Sequence, residues 1–336
     1  MERYYLGSNT AKGFVSLYDR ALRDMNDIVL LKGGPGTGKS TLMKKVAEEG
    51  VKRGYDIECW HCSGDPASLD GVYVKGLERV VVDATSPHAI EPKIPAVKES
   101  IVNLLDCVDR HKMAPYAKHI EKLVDDKKRC FATAYEHLNI AFCYYKQIER
   151  TLIHGIDIKK MRLYARRVLE EIKVKNICAG QRKTGNERFQ KAVTADGVTG
   201  FCDHLAGKEV CLLKGESATV HLFLGELTRE CAPDTIIYDG FVGDAFEGIV
   251  VHDLAIVKDV GSVQPDRIID LTQFEGEHRY QVGYSAMREE EEVASAVGHL
   301  QSARAVHNDI EKYYVDAMDF DHLNQIVADV IRQIFA

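Results

Sequence analysis

The stretch Leu30-Leu31-Lys32-Gly33-Gly34-Pro35-Gly36-Thr37-Gly38-Lys39-Ser40-Thr41 fits the phosphate-binding pattern G-x-x-x-x-G-K-[ST] at every fixed position. Each residue type has a physical task there. Glycine lets the backbone turn so that successive N–H groups face one anion. Lys39 brings a point charge for the β/γ-phosphates, and Ser40 brings a hydroxyl for Mg2+. Asp27-Ile28-Val29-Leu30-Leu31 reads as a short buried strand before the loop, and Thr41 to Glu49 as a helix after it. That helix would turn its partly positive N-terminus toward a polyphosphate. The motif in this context predicts a nucleoside triphosphate held by Gly33, Gly34, Pro35, Gly36, Thr37, Gly38, Lys39, Ser40 and Thr41.

The chain has 336 residues, 45% of them hydrophobic, enough for a large core and two domains. Its net charge of −7 does not suit a general nucleic-acid binder. Val108 to Lys183 nonetheless carries 18 Lys and Arg against 9 Asp and Glu. These cations are scattered at helical spacing, so the acidic remainder of the chain is their expected partner and nucleic acid is not. No signal-type stretch opens the sequence and no run of about 18 apolar residues occurs, so no membrane span is expected. Nine cysteines spread over this length read as reduced thiols of a cytoplasmic protein.

The second half echoes the first. Thr10-Ala11-Lys12-Gly13 returns as Thr194-Ala195-Asp196-Gly197, and Leu31-Lys32-Gly33 as Leu213-Lys214-Gly215. Leu69-Asp70-Gly71-Val72 returns as Phe246-Glu247-Gly248-Ile249. His137 to Ile172 aligns without gaps on His299 to Ile334, with 8 identities, such as Asp157/Asp319, in 36 positions. Composition alone would give about two. The ordered series predicts internal duplication, with a seam near Asn176 to Arg188. The copies differ where chemistry would occur. Leu213-Lys214-Gly215 runs into Glu216-Ser217-Ala218-Thr219-Val220-His221, without the second glycine or the lysine and about three residues shorter. Half two is expected to keep the architecture and to lack the triphosphate site.

Strand, helix and strand in succession imply an α/β fold with a doubly wound parallel sheet, duplicated and carrying appended helical segments. Gly13 to Met25 reads as a helix, Tyr55 to Cys62 and Val80-Val81-Val82 as further strands, and Pro95 to Lys175 as helical. In half two, strands are expected near Val210 to Leu213, Thr235 to Tyr238 and Ala255 to Val257, and helices from Glu289 onward. The domains would be 1–180, with the intact loop, and 188–336, the degenerate repeat.

Other residues carry weaker signals. Asp83, closing Val80-Val81-Val82-Asp83, has the form of a Mg2+-binding carboxylate at a strand end, with a turn-capping role as the alternative. Ala84 follows it where many ATPases place Glu, so Asp65, and after it Asp70, are the candidates to orient an attacking water. His88 could contact phosphate or substrate. Cys59-Trp60-His61-Cys62 lacks a second cysteine pair at zinc spacing and reads as strand. Arg267, Arg279 and Arg288 are available to reach a γ-phosphate from half two.

The loop and the following Glu49-Gly50-Val51-Lys52-Arg53-Gly54-Tyr55-Asp56-Ile57 resemble additional-strand P-loop ATPases of the RecA/KaiC type. Gly64-Asp65-Pro66-Ala67-Ser68-Leu69-Asp70-Gly71 and Val82-Asp83-Ala84-Thr85-Ser86-Pro87-His88 are similar to signatures of an uncharacterised family of bacterial two-domain P-loop ATPases. That resemblance implies ATP binding without an established substrate, and the missing loop of half two departs from it. The expectation is one ATP–Mg2+ site whose slow hydrolysis drives a conformational switch, acting on a protein or small-molecule partner. A phosphotransferase and a non-hydrolysing nucleotide module are the alternatives.

Overall fold

The computed structural model describes residues 1–172 and 185–336, so most of the expected seam lies outside the described residues. Half one opens with β1 (Glu2–Tyr5), the hairpin β2 (Gly7–Thr10) and β3 (Gly13–Ser16), and the single turn α1 (Tyr18–Ala21). Then come β4 (Asp27–Lys32), α2 (Lys39–Lys52), β5 (Ile57–His61), β6 (Leu69–Val74), β7 (Arg79–Asp83) and β8 (Glu99–Asn103). Helices α3 (Arg110–Met113), α4 (Ala117–Gly155) and α5 (Ile158–Glu171) close it. Half two opens with β9 (Glu187–Phe189), β10 (Lys191–Thr194), β11 (Gly197–Gly200) and β12 (Glu209–Lys214). It continues through α6 (Ser217–Glu230), β13 (Thr235–Tyr238), β14 (Phe246–Val251), β15 (Leu254–Val257) and β16 (Arg267–Asp270) to α7 (Gly283–Asp316) and α8 (Phe320–Ile334).

One 12-stranded sheet runs in the order β16-β12-β15-β14-β13-β9-β1-β5-β6-β7-β4-β8. Within each set of six all strands but one share a direction, the exceptions being β6 and β14. The sheet is therefore mixed and mostly parallel, which corrects the expected all-parallel sheet. The connections explain it: residues 62–68 and 75–78 around β6 are too short for the crossover that parallel neighbours need. Read in element order, β9-β13-β14-β15-β12-β16 lies in the same sequence as β1-β5-β6-β7-β4-β8. The sets meet antiparallel at β1 and β9 through the Tyr5–Phe189 pair. Beside that narrow seam the buried Arg188 guanidinium donates to Glu58, which also accepts from Trp60 Nε1 at 2.7 Å.

Two further expectations fail locally. Gly13 to Met25 is not one helix, because Gly13 (φ 90°) turns the chain into β3 and only one helical turn follows. The segment after Pro95 begins with the edge strand β8, paired to β4, before any helix. The Thr10 and Thr194 repeats are the tips of equivalent hairpins. Thr10 Oγ1 donates to Gly13 O and Thr194 Oγ1 to Gly197 O, both at 2.9 Å.

The helices pack across the halves. Leu323, Val327, Val330 and Ile334 of α8 join Leu42, Met43 and Val46 of α2 in one core. Met161, Ala165 and Val168 of α5 join Val220, Phe223 and Leu224 of α6 in another. Between them α4 and α7 run antiparallel, with Tyr116 on Tyr313 at 4.8 Å and His137 on His299 at 5.4 Å. Among the described residues no helix is long and apolar enough to cross a membrane.

Candidate functional site

β4 delivers the loop 33–38 to the carboxyl ends of the parallel strands, where α/β sheets place their ligand crevices. Gly36 (φ 70°) and Gly38 (φ 85°) take the left-handed conformation that side chains resist, and α2 begins directly after them. No side chain caps that helix end. Lys39, the first residue of α2, folds back on its own loop, donating to Gly33 O at 2.9 Å and Gly34 O at 2.7 Å. Its ammonium lies 3.7 Å from Asp83 Oδ2. Thr37 Oγ1 donates to Gly34 O at 2.8 Å and holds the turn. Ser40 Oγ accepts from the Leu69 amide at 3.0 Å, tying the loop to β6. Thr41 is exposed.

Asp83 ends β7, which pairs directly with β4. Its Oδ1 accepts from Thr85 N at 2.9 Å and Thr85 Oγ1 at 2.5 Å, so it caps the next turn while its other oxygen faces Lys39. Asp65 is committed to its own turn, accepting from Ala67 N at 3.3 Å and Ser68 Oγ at 2.6 Å. Asp70 and His88, which the sequence ranked lower, are the buried pair beside Asp83. Burial, with the Asp83 charge adding, pushes the Asp70 carboxyl up to about 6. Cys59 is buried in β5, and burial beside Asp70 raises the Cys62 thiol.

The cover over the loop comes from half two, and no motif announces it. A Cβ built on Gly34 would fall 2.6 Å from Tyr314 Cε1, and one on Gly36 would fall 2.9 Å from the Glu311 carbonyl oxygen. Gly38 faces Leu323 of α8 in the same way, at 2.7 Å. Only glycine lets loop and helix approach this closely. One turn before Glu311, the imidazole of His307 lies 3.3 Å from Lys127 Nζ of α4. Burial, then the Lys127 and Lys39 charges, hold His307 down to about 4. Burial and Lys39 likewise lower Lys127. Lys127 of α4 and His307 of α7 thus pair within the electrostatic reach of Lys39 of α2. The basic balance of residues 108–183 was the only sequence hint of Lys127.

Two of the arginines sought for the γ-phosphate are paired elsewhere. Arg267 reaches Glu171 at 3.8 Å, and Arg288 is held by Glu291, Glu292 and Tyr144. The Arg279 side chain lies outside the described residues. A cavity of about 520 Å3 lined by Asn26, Asp27, Arg79, Lys98 and Gln333 sits at the amino ends of β4 and β7, the opposite end of the sheet from the loop.

The corresponding turn of half two is shorter. Only Gly215 and Glu216 separate β12 from α6, four residues fewer than in half one. The Glu216 amide donates to the carboxylate of the buried Glu275 at 2.7 Å, so the protein's own anion stands at this helix start. Lys258, one residue past β15, is at the position of Asp83, and its ammonium bonds Ser217 Oγ. The 162-residue offset of the helical repeat carries Lys127 onto Glu289, which burial and Asp239 push up to about 7. At these positions half two thus carries Lys258 where half one has Asp83, and Glu289 where it has Lys127.

The chain matches no family model, no curated protein and no solved structure.

Proposed function

We propose that the chain binds ATP with Mg2+ at Gly33–Thr41, hydrolyses it slowly, and uses the nucleotide state to move α7. One observation carries the reading: uncapped amides at the start of α2 and the Lys39 ammonium meet at a glycine loop at the strand ends, with the Lys127–His307 pair within the electrostatic reach of Lys39. In the mechanism, a triphosphate replaces the Gly33 and Gly34 carbonyls as the partner of Lys39. The loop amides and the α2 dipole bind its outer phosphates. Lys127, and His307 once an anion restores its proton affinity, cover the terminal one. The oxygen donors Ser40 and Asp83 suit a hard cation, and Mg2+ held there would neutralise charge on the β- and γ-phosphates. Asp65, whose carboxylate is held by its own turn, is the candidate to orient water.

The cover of Tyr314 and Glu311 on Gly34 and Gly36 is what makes the reading a switch: loop and α7 are in contact, so a changed loop changes the helix. The shared strand order and the helical repeat support internal duplication, with half two as the partner that lost its loop. The resemblance to bacterial two-domain P-loop ATPases and a cytoplasmic location, with free thiols such as Cys59 and Cys107, belong to the same reading.

The test is Mg2+-dependent phosphate release. Lys39→Ala is expected to abolish it, and hydrolysis at the parent rate would refute the site. Phosphate retained on an added metabolite would point to the phosphotransferase, and tight ATP binding without product to the nucleotide module.

A further inference from the structure

Asp70 and Asp83 face each other on antiparallel strands, one step beyond the Gly71–Val82 pair. They are only 7% and 8% exposed. Like charges directly opposite destabilise a strand pair, and burial makes the repulsion worse. His88 comes in from the loop after β7, 7% exposed, its ring stacked on Tyr18 at 5.0 Å. Its Nε2 is 4.0 Å from Asp70 Oδ2, and neither ring nitrogen has a hydrogen-bond partner. A buried imidazole is rarely left that way. One donor atom from each of the three residues lies within 4.8 Å of the other two.

The second half shows what such a position requires. Its corresponding residues are Glu247 and Lys258, joined by the Lys258 N to Glu247 O hydrogen bond at 3.0 Å. An ammonium has replaced one carboxylate, and Lys191 adds a second cation 3.0 Å from Glu247. In half one Lys39 approaches Asp83 alone, at 3.7 Å. Two carboxylates and an imidazole thus converge where the sister half supplies a covalently attached cation.

We propose that Asp70, Asp83 and His88 hold a resident divalent transition cation, of the Mn2+ class, in preference to Mg2+. A nitrogen donor suits Mn2+, Fe2+ and Zn2+, whereas Mg2+ selects oxygen ligands and keeps its waters. The site shares Asp83 with the Mg2+ of the ATP reading and goes beyond it through Asp70 and His88, which that reading does not use.

The experiment is a titration of the nucleotide-free full chain with Mn2+ alone, following free Mn2+ by electron paramagnetic resonance. One Mn2+ is expected to bind, with Mg2+ competing only in large excess. Loss of an outer-shell partner costs metal sites about 10–100-fold, so losing a ligand in His88→Gln is expected to weaken binding by at least about 100-fold. Lys39→Ala removes a competing cation and is expected to bind Mn2+ at least as tightly as the parent, although it abolishes nucleotide turnover. That contrast separates failure of this site from failure of the ATP site. Pulsed resonance of the parent is expected to show nitrogen coupling from a ligated imidazole, a readout needing no variant if His88→Gln misfolds. Absent Mn2+ binding, equal affinity for Mg2+, or a bound Mn2+ without nitrogen coupling would each overturn the proposal.

Discussion

Lys127→Ala separates the phosphate reading from a purely structural one. The Lys127 ammonium is half-buried, 3.3 Å from His307 Nδ1, and its proton affinity is lowered by burial and by Lys39. Without an anion it is therefore a cost to the fold, and its removal is expected to leave the nucleotide-free protein as stable or more so. With ATP bound it would donate a charge-assisted hydrogen bond to the terminal phosphate. Such a bond is worth about 1.5–3 kcal/mol, which converts to about 10–150-fold in Kd. ADP lacks that phosphate and is expected to lose less than about threefold. Calorimetric titration of parent and variant with each nucleotide, in Mg2+, gives both numbers, and a thermal melt gives the third. If ATP binds the variant as tightly as the parent, or if ADP weakens as much as ATP, Lys127 does not read the γ-phosphate. A large loss of apo stability would equally refute the argument.

Two further outcomes follow from charges elsewhere in the fold. Arg188→Met removes the nearer of two cations facing the buried Glu58 carboxylate, leaving Lys75 at 3.5 Å, and is expected to cost about 1–3 kcal/mol in urea unfolding. Adding Glu58→Leu should recover most of that, and a double variant as weak as the single would contradict it. For pH, burial pushes Glu247 and Glu289 up to about 7, so the folded chain gains protons, and stability, as pH falls from 8 through 7. Burial holds His204 and His307 down to about 4, against 6.5 unfolded, so their contribution is lost as pH falls from 6.5 toward 4. Melting temperature is therefore expected to rise from pH 8 to about 6.5, level off, and drop below about 4.5. Glu289→Gln should flatten the first limb, and a flat parent curve there would refute the assignment.

Local chemistry made much of this legible in the sequence. A glycine loop needs particular φ values and one lysine, so its residues announce themselves wherever they occur, as do short apolar strands such as β4 and β7. The likeness of α5 and α8 was readable because each is capped by an aspartate, Asp157 and Asp319, whose side chains accept from amides of the following turn. Gly13 to Met25 misled because apolar spacing over a dozen residues suits a helix as well as a strand followed by a turn. The antiparallel β6 was invisible because strand direction depends on connection length and not on the strand's own residues.

The sequence by itself determined that a glycine-rich loop joins a strand to a helix, and that Leu213-Lys214-Gly215 runs on without such a loop. Tertiary structure alone decided what stands over that loop: α7 and α8, nearly 300 residues away, bring Tyr314, Glu311 and Leu323 onto its glycines. It also set Asp70 against Asp83 and brought Lys127 to His307. Backbone conformation is written in neighbouring residues. Electrostatic convergence between distant residues depends on how the helices cross the sheet, and no local pattern encodes that.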